Sequence, residues 1–261
     1  MRIVTTVADQ HELLGLELNS LSLEELLHRS YGKIASRKKK EFFACANPHS
    51  MVEMETDEVF KEALLEADSL VVDGVGVSII GRLLGKSLGP RIAGGDFFYG
   101  LHAFLAARSA ELGSKPRIFF FGSSEQVLQL IDQRFDRDYP DLELCGTFSP
   151  PYGDWTDQQN QQMIDAINRA KPDVLWVGMT APKQEKWIYE NYQQIDATVF
   201  GAIGAVFDFY AGTYKRAPKI YRKLGLEWAF RLVKEPRRMW RRMVISAPVF
   251  LWLVARHYLL R

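Results

Sequence analysis

The sequence predicts an α/β fold: a Rossmann-like, mostly parallel sheet with helices on both faces, followed by a basic helical appendage at the C-terminus. Short apolar runs alternate with segments of helical periodicity, which is the pattern of repeated strand–helix units. The predicted strands end at Gly, Asn or Asp, where the chain would turn into a loop. Positive charge is concentrated after residue 212. We therefore predict a catalytic core over residues 1–212 and an appendage over residues 213–261.

The first half of the predicted core contains a capped helix and a strand–helix unit. Ser22, with Glu25 three residues later, has the spacing of a capping box and predicts a helix to about Ala35. The run EFFACANPH predicts a strand that ends at Asn47. The following stretch, SMVEMETDEVFKEALLEAD, predicts one helix.

The run SLVVDGVG predicts a second buried strand, which ends at Asp73. Gly74 and Gly76 would let the backbone turn tightly into the next helix. Asp73 has two interpretations. It would either cap that helix or present a carboxylate to a ligand. The full dinucleotide-binding pattern Gly-x-Gly-x-x-Gly is missing, because position 79 is Ile, and this argues against a nicotinamide-dependent oxidoreductase.

Further strand–helix units follow in the second half of the core. KPRIFFFGSS predicts a strand ending at Gly122, after which Ser123 or Ser124 would cap a helix to about Arg137. ELCGTFSPPYGDW predicts a strand and a Pro/Gly loop. KPDVLWVGMTAPKQEKWIYEN predicts another strand–helix unit, with its strand ending at Gly178. ATVFGAIGAVFDFYAG predicts a last strand ending at Gly201.

The residues that follow these strands predict the site. Ligands of open parallel sheets bind outside the carboxyl ends of the strands, so these residues should share one edge. They are Asn47, Asp73, Gly122, Ser123, Thr180, Lys183 and Gln184. Ser123 would either help to bind a phosphate at a helix N-terminus or simply cap its helix.

Composition and charge restrict the cellular compartment and the binding partners of the protein. Two cysteines, Cys45 and Cys145, show no metal or redox spacing and indicate a reducing compartment. We expect neither a signal peptide nor an ordinary membrane span. Residues 213–261 contain 13 Lys and Arg against 2 Asp and Glu, a balance of +11, while the whole chain is +1. This basic tail predicts an anionic partner, either nucleic acid, phosphate groups or an acidic membrane surface.

The appendage has an amphipathic pattern. Its basic residues fall on one helical face and its Trp, Leu and Met residues on the other, with a break expected near Pro236. Residues 243–255 carry no charge, too short a stretch to span a bilayer but long enough to dip into one or pack on the core. The Trp content favours a membrane surface over nucleic acid. The alternative is an ordinary docked helix with solvated arginines.

Four blocks in this order resemble the WecG/TagA/CpsF family, glycosyltransferase family 26. They are VVDGVGVSIIGRLLGKSLGPRIAGGDFF, KPDVLWVGMTAPKQEKWI, VFGAIGAVFDFYAGTYKRAPK and LGLEWAFRLVKEPRRMWRR. The resemblance extends from about Asn47 to Arg242. It implies an inverting transferase that needs no metal and moves a sugar from a UDP-sugar to a polyprenyl-diphosphate-linked saccharide in bacterial cell-surface polysaccharide synthesis.

The same resemblance implies a cellular location, and it does not determine which sugar is transferred. The protein would be cytoplasmic and peripheral, on the inner face of the plasma membrane, and self-association is a further expectation. UDP-N-acetylmannosamine is the first choice of donor, with a neutral hexose or a uronic acid donor as the alternative. A non-catalytic membrane scaffold is a more remote alternative, because it would not need an acid, amides and glycines at one edge of the sheet.

The resemblance also implies roles for individual residues. Asp73 matches the general base that takes the proton of the acceptor hydroxyl. Arg231, Arg238 and Arg241 match positions that would hold phosphate oxygens. The remaining substrate-binding candidates are Asn47, Gly74, Gly76, Arg91, Gly95, Asp96, Gly122, Ser123, Gly178, Lys183, Gln184, Gly204 and Asp208. One departure concerns Cys45, where many members have Thr. A thiol is a weaker hydrogen-bonding group, and a nucleophilic role for it would need a nearby base.

Overall fold

The fold is taken from a computed structural model, which describes residues 11–218, 220–221, 227–234, 236 and 240–259. The strands are β1 (Glu12–Leu13), β2 (Leu16–Glu17), β3 (Glu41–Ala46), β4 (Ser69–Val72), β5 (Arg117–Gly122), β6 (Glu143–Phe148), β7 (Val174–Gly178) and β8 (Val199–Ala202). The core helices are α1 (Leu23–Ser36), α2 (Pro48–Glu53), α3 (Glu58–Leu65), α4 (Val75–Leu83), α5 (Gly94–Ala106), α6 (Glu125–Asp138), α7 (Asp157–Ala170), α8 (Lys183–Asn191) and α9 (Val206–Ala211), with a 3₁₀ turn at Ser109–Leu112. The C-terminal region contains α10 (Glu227–Lys234), a π-helical turn (Arg241–Ser246) and α11 (Ala247–Tyr258).

Strands β3 to β8 form one sheet in the order β4-β3-β8-β7-β5-β6. Every neighbouring pair in this sheet is parallel. The predicted parallel sheet is therefore confirmed, and the carboxyl ends of its strands lie along one edge, which we call the rim. The last strand extends to Ala202, one residue beyond the predicted Gly201.

The two faces of the sheet carry separate apolar layers, because alternate strand residues point to opposite sides. Phe42 packs in the layer formed with helices α2, α3, α4, α7, α8 and α11. Phe43, the next residue, packs in the layer formed with α1, α5, α6 and α9. In the same way, Phe119 packs in the layer of Phe42 and Phe120 packs in the layer of Phe43. Helices thus cover both faces, as the strand–helix alternation predicts.

Helix caps agree with the sequence at some positions and correct it at others. The capping box of Ser22 and Glu25 is present at α1. Ser124, and not Ser123, caps α6 by accepting from Val127 N at 3.3 Å. The single helix predicted after the first strand is wrong. It divides into α2 and α3 because the Asp57 carboxylate caps a new helix and accepts from Phe60 N at 3.0 Å.

A short hairpin that the sequence analysis did not predict precedes α1. β1 and β2 pair antiparallel across Leu14 and Gly15, whose φ angles are +52° and +82°. Two consecutive positive φ values are the requirement of a tight type I′ turn. The strands have only two residues each, too few for an alternating pattern to reveal them.

Trp176 of β7 contacts both the neighbouring strand β8 and helix α5. A Cβ atom on Gly201 of the adjacent β8 would overlap the indole ring, so glycine is required there. The indole Nε1 donates to His102 Nε2 of α5 at 2.8 Å. The His102 ring is fully buried and must be neutral to accept this bond. Burial lowers its pKa to about 3.

The uncharged stretch near the C-terminus packs on the core through one face. Phe250 and Val254 of α11 are buried with the layer that contains α2, while Leu251 and Trp252 on the other face are exposed. Tyr258 accepts a hydrogen bond from Leu14 N at 3.0 Å, so the last helix also holds the N-terminal hairpin. Within the described ranges, no helix is both long enough and apolar enough to cross a bilayer.

His102 should make the fold sensitive to acid. The unfolded state, with an ordinary His pKa near 6.5, binds this proton below about pH 6.5, whereas the folded state does so only near pH 3. Stability is therefore lost as the pH falls, by about 2 kcal/mol between pH 7 and pH 5. His102→Gln keeps an acceptor for Trp176 and removes the titration. We expect its deficit in unfolding free energy relative to the unsubstituted protein to shrink by about that amount over the same interval.

Urea unfolding at pH 7, 6 and 5 measures this difference. His28→Gln, at an exposed position of α1, is the matched control for loss of an imidazole. A constant deficit for His102→Gln across the three pH values would show that His102 does not titrate on unfolding.

Candidate active site at the carboxyl edge of the sheet

Asp73 lies at the rim, directly after β4. Its backbone N donates to Ala46 O at 2.8 Å, which continues the β3–β4 pairing by one residue. Gly74 follows with a φ of +106°, in the region that favours glycine, and α4 begins at once. A Cβ on Gly76 would lie 3.3 Å from Pro48 Cγ, so the start of α4 approaches the start of α2 closely. The carboxylate is therefore attached to a rigid strand end.

Asn47 stands beside this turn as the N-cap of α2. Its Oδ1 accepts from His49 N at 3.0 Å and from Ser50 N at 3.1 Å, while Ser50 Oγ accepts from Asn47 N at 2.8 Å. The capping bonds fix the amide plane. In this fixed orientation the Asn47 Nδ2 group forms no hydrogen bond within the part of the chain that the structure describes.

Cys45, at the end of β3, is a buried thiol on which the charges of three carboxylates act. Burial raises the pKa of the Cys45 thiol well above 9.0, and the negative charges of Asp73, Glu185 and Asp96 raise it further. A Cβ on Gly94, the first residue of α5, would lie 3.5 Å from Cys45 Sγ. The N-terminus of α5 therefore reaches the same part of the rim as Asp73. A thiol in this setting stays protonated, which disfavours the nucleophilic role considered for it.

Gln184 is buried at the start of α8. Its Oε1 accepts from Met179 N at 3.2 Å, and its Nε2 donates to Glu185 Oε1 at 2.9 Å. A Cβ on Gly204 would lie 3.2 Å from Met179 O and 3.5 Å from Gln184 Oε1, so the loop after β8 closes over this amide. Within the described part of the chain, the second N–H of Gln184 Nε2 forms no hydrogen bond, and it can donate to a ligand.

Gly122, Ser123 and Gly178 form a second group on the rim, at the ends of β5 and β7. Gly122 has a φ of +117°, and a Cβ there would lie 2.7 Å from Gly178 O. Ser123 also has a positive φ, +58°, and its carbonyl accepts from Ser149 Oγ at 2.9 Å. A Cβ on Gly178 would overlap the ring of Phe207 on α9. These glycines allow strand ends and α9 to approach one another.

Three of the other candidates contact residues outside the predicted substrate-binding set. The Lys183 ammonium donates to Gly153 O and lies 3.8 Å from the centre of the Trp155 ring, which directs it to the Pro/Gly loop. The Asp208 carboxylate accepts from Thr213 Oγ1 at 3.3 Å where the chain leaves α9. Arg91 forms an isolated parallel bridge with Val72 at the end of β4.

Gly95 and Asp96, in the first turn of α5, meet Arg216. The Arg216 Nη2 atom donates to Asp96 Oδ1 at 2.7 Å. A side chain at position 95 would meet the guanidinium, since a Cβ there would lie 3.0 to 3.2 Å from its atoms. Asp96 therefore faces a cation of the protein at the rim.

The three predicted phosphate-binding arginines belong to the C-terminal region. Arg231 is part of α10 and Arg241 begins the π-helical turn, while Arg238 lies outside the described residues. Their roles stay predictions.

Two charged residues that the sequence analysis did not single out also lie at this rim. Glu185 is only 3% exposed although it is ionisable, and Arg216 joins Asp96 to Glu227 of α10. The position of Glu185, one residue after Gln184 in the first turn of a helix, was the available signal. No signal in the sequence pointed to Arg216, because its partners Asp96 and Glu227 are more than ten residues away along the chain.

Acidic groups elsewhere in the described part of the chain do not form a metal site. Among the residues with described placement, no three His, Cys, Asp or Glu side chains are arranged to hold a metal ion. Asp136 and Asp138 have Asp-x-Asp spacing, but they lie in the last turn of α6, whose first turn follows the rim end of β5. Asp138 is paired there with Arg134 at 2.7 Å.

Both thiols should resist alkylation in the folded protein. Burial raises the pKa of Cys145 to about 12, and the pKa of Cys45 is raised by burial and by carboxylates. Since the thiolate is the reactive form, we expect iodoacetamide at pH 8 to modify either residue at least a hundredfold more slowly than in guanidinium-unfolded protein. Mass spectrometry of the intact protein measures the rate, and Cys145→Ser isolates Cys45. Rapid alkylation of Cys45 would reopen its nucleophilic role.

Comparison with known proteins assigns the chain to a family. Residues 11–261 match the Glycosyl transferase WecG/TagA/CpsF family. An N-acetylglucosaminyldiphosphoundecaprenol N-acetyl-beta-D-mannosaminyltransferase of Bacillus spizizenii is 32% identical over 221 residues, 85% of this chain and 81% of the relative. A Staphylococcus aureus protein of the same name, from strain MW2, is 26% identical over 246 residues, 94% of this chain and 92% of the relative. The chain therefore belongs to the WecG/TagA/CpsF family of glycosyltransferases.

Proposed function

We propose that this glycosyltransferase moves N-acetylmannosamine from UDP-N-acetylmannosamine to N-acetylglucosaminyl diphosphoundecaprenol and forms a β linkage. The observation that carries the proposal is the 32% identity, over most of both chains, with a transferase named for that acceptor and that product. Asp73, placed on a rigid strand end beside Asn47, supports the proposal because its carboxylate is suited to act as the base.

The proposed reaction is a single displacement. The acceptor hydroxyl gives its proton to the Asp73 carboxylate while its oxygen forms a bond to the anomeric carbon of the donor. The bond from that carbon to the diphosphate oxygen breaks, and UDP leaves with the electron pair. Attack from the face opposite the leaving group inverts the anomeric configuration. No covalent enzyme intermediate is needed, which agrees with a protonated Cys45.

The leaving diphosphate needs positive charge, and in this proposal arginine side chains supply it in place of a metal ion. Guanidinium groups match pairs of phosphate oxygens with two parallel hydrogen bonds. Arg231, Arg238 and Arg241 are the candidates, two of them in described helical segments of the C-terminal region. Because charge on the diphosphate grows as the bond breaks, these contacts favour the transition state over bound donor.

Two amides would orient the sugars. The capping bonds of Asn47 leave Nδ2 to donate to a substrate hydroxyl, and the bonds of Gln184 to Met179 and Glu185 leave it one N–H. An amide whose plane is already fixed loses little conformational entropy on binding. Asn47 and Gln184 are therefore suited to select the position of hydroxyl groups.

We also propose that the protein works as a peripheral protein on the cytoplasmic face of the plasma membrane. An undecaprenol chain stays in the bilayer, so the enzyme must approach the lipid surface. The exposed face of α11 offers Trp252 and Leu251, which are 54% and 53% exposed. The 13 Lys and Arg of residues 213–261 would add about 1 kcal/mol each where they lie near anionic headgroups.

A donor panel tests the reaction. The protein is incubated with a short-chain diphosphate-linked N-acetylglucosamine acceptor and, separately, with UDP-N-acetylmannosamine, its uronic acid, UDP-glucose or UDP-N-acetylglucosamine, and UDP release is measured. We expect acceptor-dependent release with UDP-N-acetylmannosamine. Release with UDP-glucose or the uronic acid instead would assign the alternative donors. No release with any donor, even on anionic vesicles, would favour the non-catalytic scaffold.

Asp73→Asn provides the catalytic control in this assay. Removal of a general base should lower turnover about a hundredfold or more and leave UDP binding nearly unchanged, because the amide keeps the shape of the carboxylate. Asp132→Asn, at an exposed position of α6, is the matched substitution. Unchanged turnover in Asp73→Asn would remove Asp73 from the role of base.

The membrane contact predicts a loss of vesicle binding in Trp252→Glu. Burying about half of a large apolar side chain is worth about 1.5 kcal/mol, so the charge should weaken partition to phosphatidylglycerol vesicles about tenfold. Cosedimentation measures this. Leu65→Glu, on α3, is the control because Leu65 is 51% exposed, close to the exposure of Trp252. Equal loss in both variants would contradict a specific contact through α11.

A further inference from the structure

Arg216 links the catalytic core to the C-terminal region. It lies between α9 and α10, and its side chain is only 15% exposed. On the core side, its Nη2 atom donates to Asp96 Oδ1 at 2.7 Å. On the other side, its Nε atom lies 3.5 Å from Glu227 Oε1, in the first residue of α10. One guanidinium thus bridges two carboxylates from different parts of the chain.

The guanidinium is held in this place by the shape of α5. It rests on the first turn of the helix, over Gly95, where any side chain would displace it. The Tyr99 ring is on the same helix, with its centre 5.8 Å from Arg216 Cζ. A cation at a helix N-terminus is opposed by the helix dipole, so the two carboxylates must compensate for this placement. Favourable helix electrostatics therefore do not account for the position of Arg216.

The bridge joins the start of α10 to the start of α5, because Glu227 and Asp96 both pair with Arg216. Arg231 belongs to the same helix as Glu227, four residues later in the chain. The start of α5 lies at the rim, where Gly94 approaches Cys45 and where the charges of Asp96 and Asp73 both act on the thiol.

We propose that Arg216 is a positioning residue that fixes α10, and with it Arg231, at the rim next to Asp73 before substrate binds. The inference rests on the proposed function, in which Arg231 binds a diphosphate. Positioning of this kind lowers the cost of assembling the site, because the helix is already placed when the donor arrives. An ion pair on an open surface would contribute little, but Arg216 and Glu227 are 15% and 22% exposed.

Three variants test the bridge by different routes. Glu227→Gln removes the charge on α10. Arg216→Lys keeps a cation for Asp96, but one ammonium group cannot form the forked contact with both carboxylates. The third variant combines both substitutions. The control is Glu125→Gln, since Glu125 is likewise an acidic residue at the first position of a helix, α6, and is exposed.

We expect each single variant to lower kcat/KM for acceptor-dependent UDP release about tenfold, with the melting temperature nearly unchanged. The double variant should be no worse than either single one, because both break the same bridge. Glu125→Gln should behave as the unsubstituted protein. Wild-type turnover in Glu227→Gln, or losses that multiply in the double variant, would overturn the proposal.

An activity-independent measurement separates this proposal from the proposed function. In protein labelled with 5-fluorotryptophan, the ¹⁹F resonance of Trp228, adjacent to Glu227, should shift in both single variants, while that of Trp155 in the Pro/Gly loop should not. Trp228→Phe assigns the signal. An unchanged Trp228 resonance would overturn the bridge even if turnover falls. Absence of UDP release by the unsubstituted protein would refute the proposed function, while the ¹⁹F shift would still test the bridge.

Discussion

The contact between Trp176, Gly201 and His102 sets the position of α5, and much of the rim depends on that position. The indole can lie across β8 only because residue 201 lacks a side chain. Its hydrogen bond then fixes His102, in the middle of α5, at 2.8 Å. Phe97 of the same helix packs edge-on against the indole with the ring centres 5.8 Å apart. A helix held at its middle by a buried ring presents its first turn at a defined point of the sheet edge.

That first turn contacts both the rim and, through Arg216, the C-terminal region. Gly94 approaches Cys45, Gly95 makes room for a guanidinium, and Asp96 binds it. Glycines and an acid at a helix start are often interpreted as a ligand-binding loop. Here the same residues contact another part of the protein. The first turn of α5 thus contacts Cys45 at the end of β3 on one side and, through Arg216, Glu227 of α10 on the other.

The sequence was informative where the signal is local. The parallel sheet followed from apolar runs that end at Gly, Asn or Asp, and Asp73 could be placed at a strand end because the apolar run from Leu70 to Val72 precedes it. The division of the helix at Asp57 was missed because its helical periodicity continues through the break. Ser123 was an equal candidate for a cap until the structure showed that Ser124 accepts from Val127 N, while Ser123 lies one residue before the cap at a φ of +58°.

Long-range contacts could not be inferred in the same way. Arg216 and Asp96 are 120 residues apart, and nothing in either neighbourhood indicates the other. Glu185 would be expected on the surface, because an acid in the first turn of a helix is favourable in water. It is buried nonetheless, one residue after Gln184, whose amide lies against Gly204 of the loop after β8. Such residues are determined by how distant elements pack, which one sequence does not reveal.

The strand order has a consequence for how the chain folds. β8, the last of the described strands to be synthesised, occupies the interior of the sheet between β3 and β7. Until it is inserted, the pair of β3 and β4 is separated from the three strands β7, β5 and β6, and both β3 and β7 expose an unpaired edge. Phe42 of β3 can meet its partner Phe200 only after most of the protein has been made. The sheet is thus completed late, and a nascent chain released before residue 203 would be aggregation-prone.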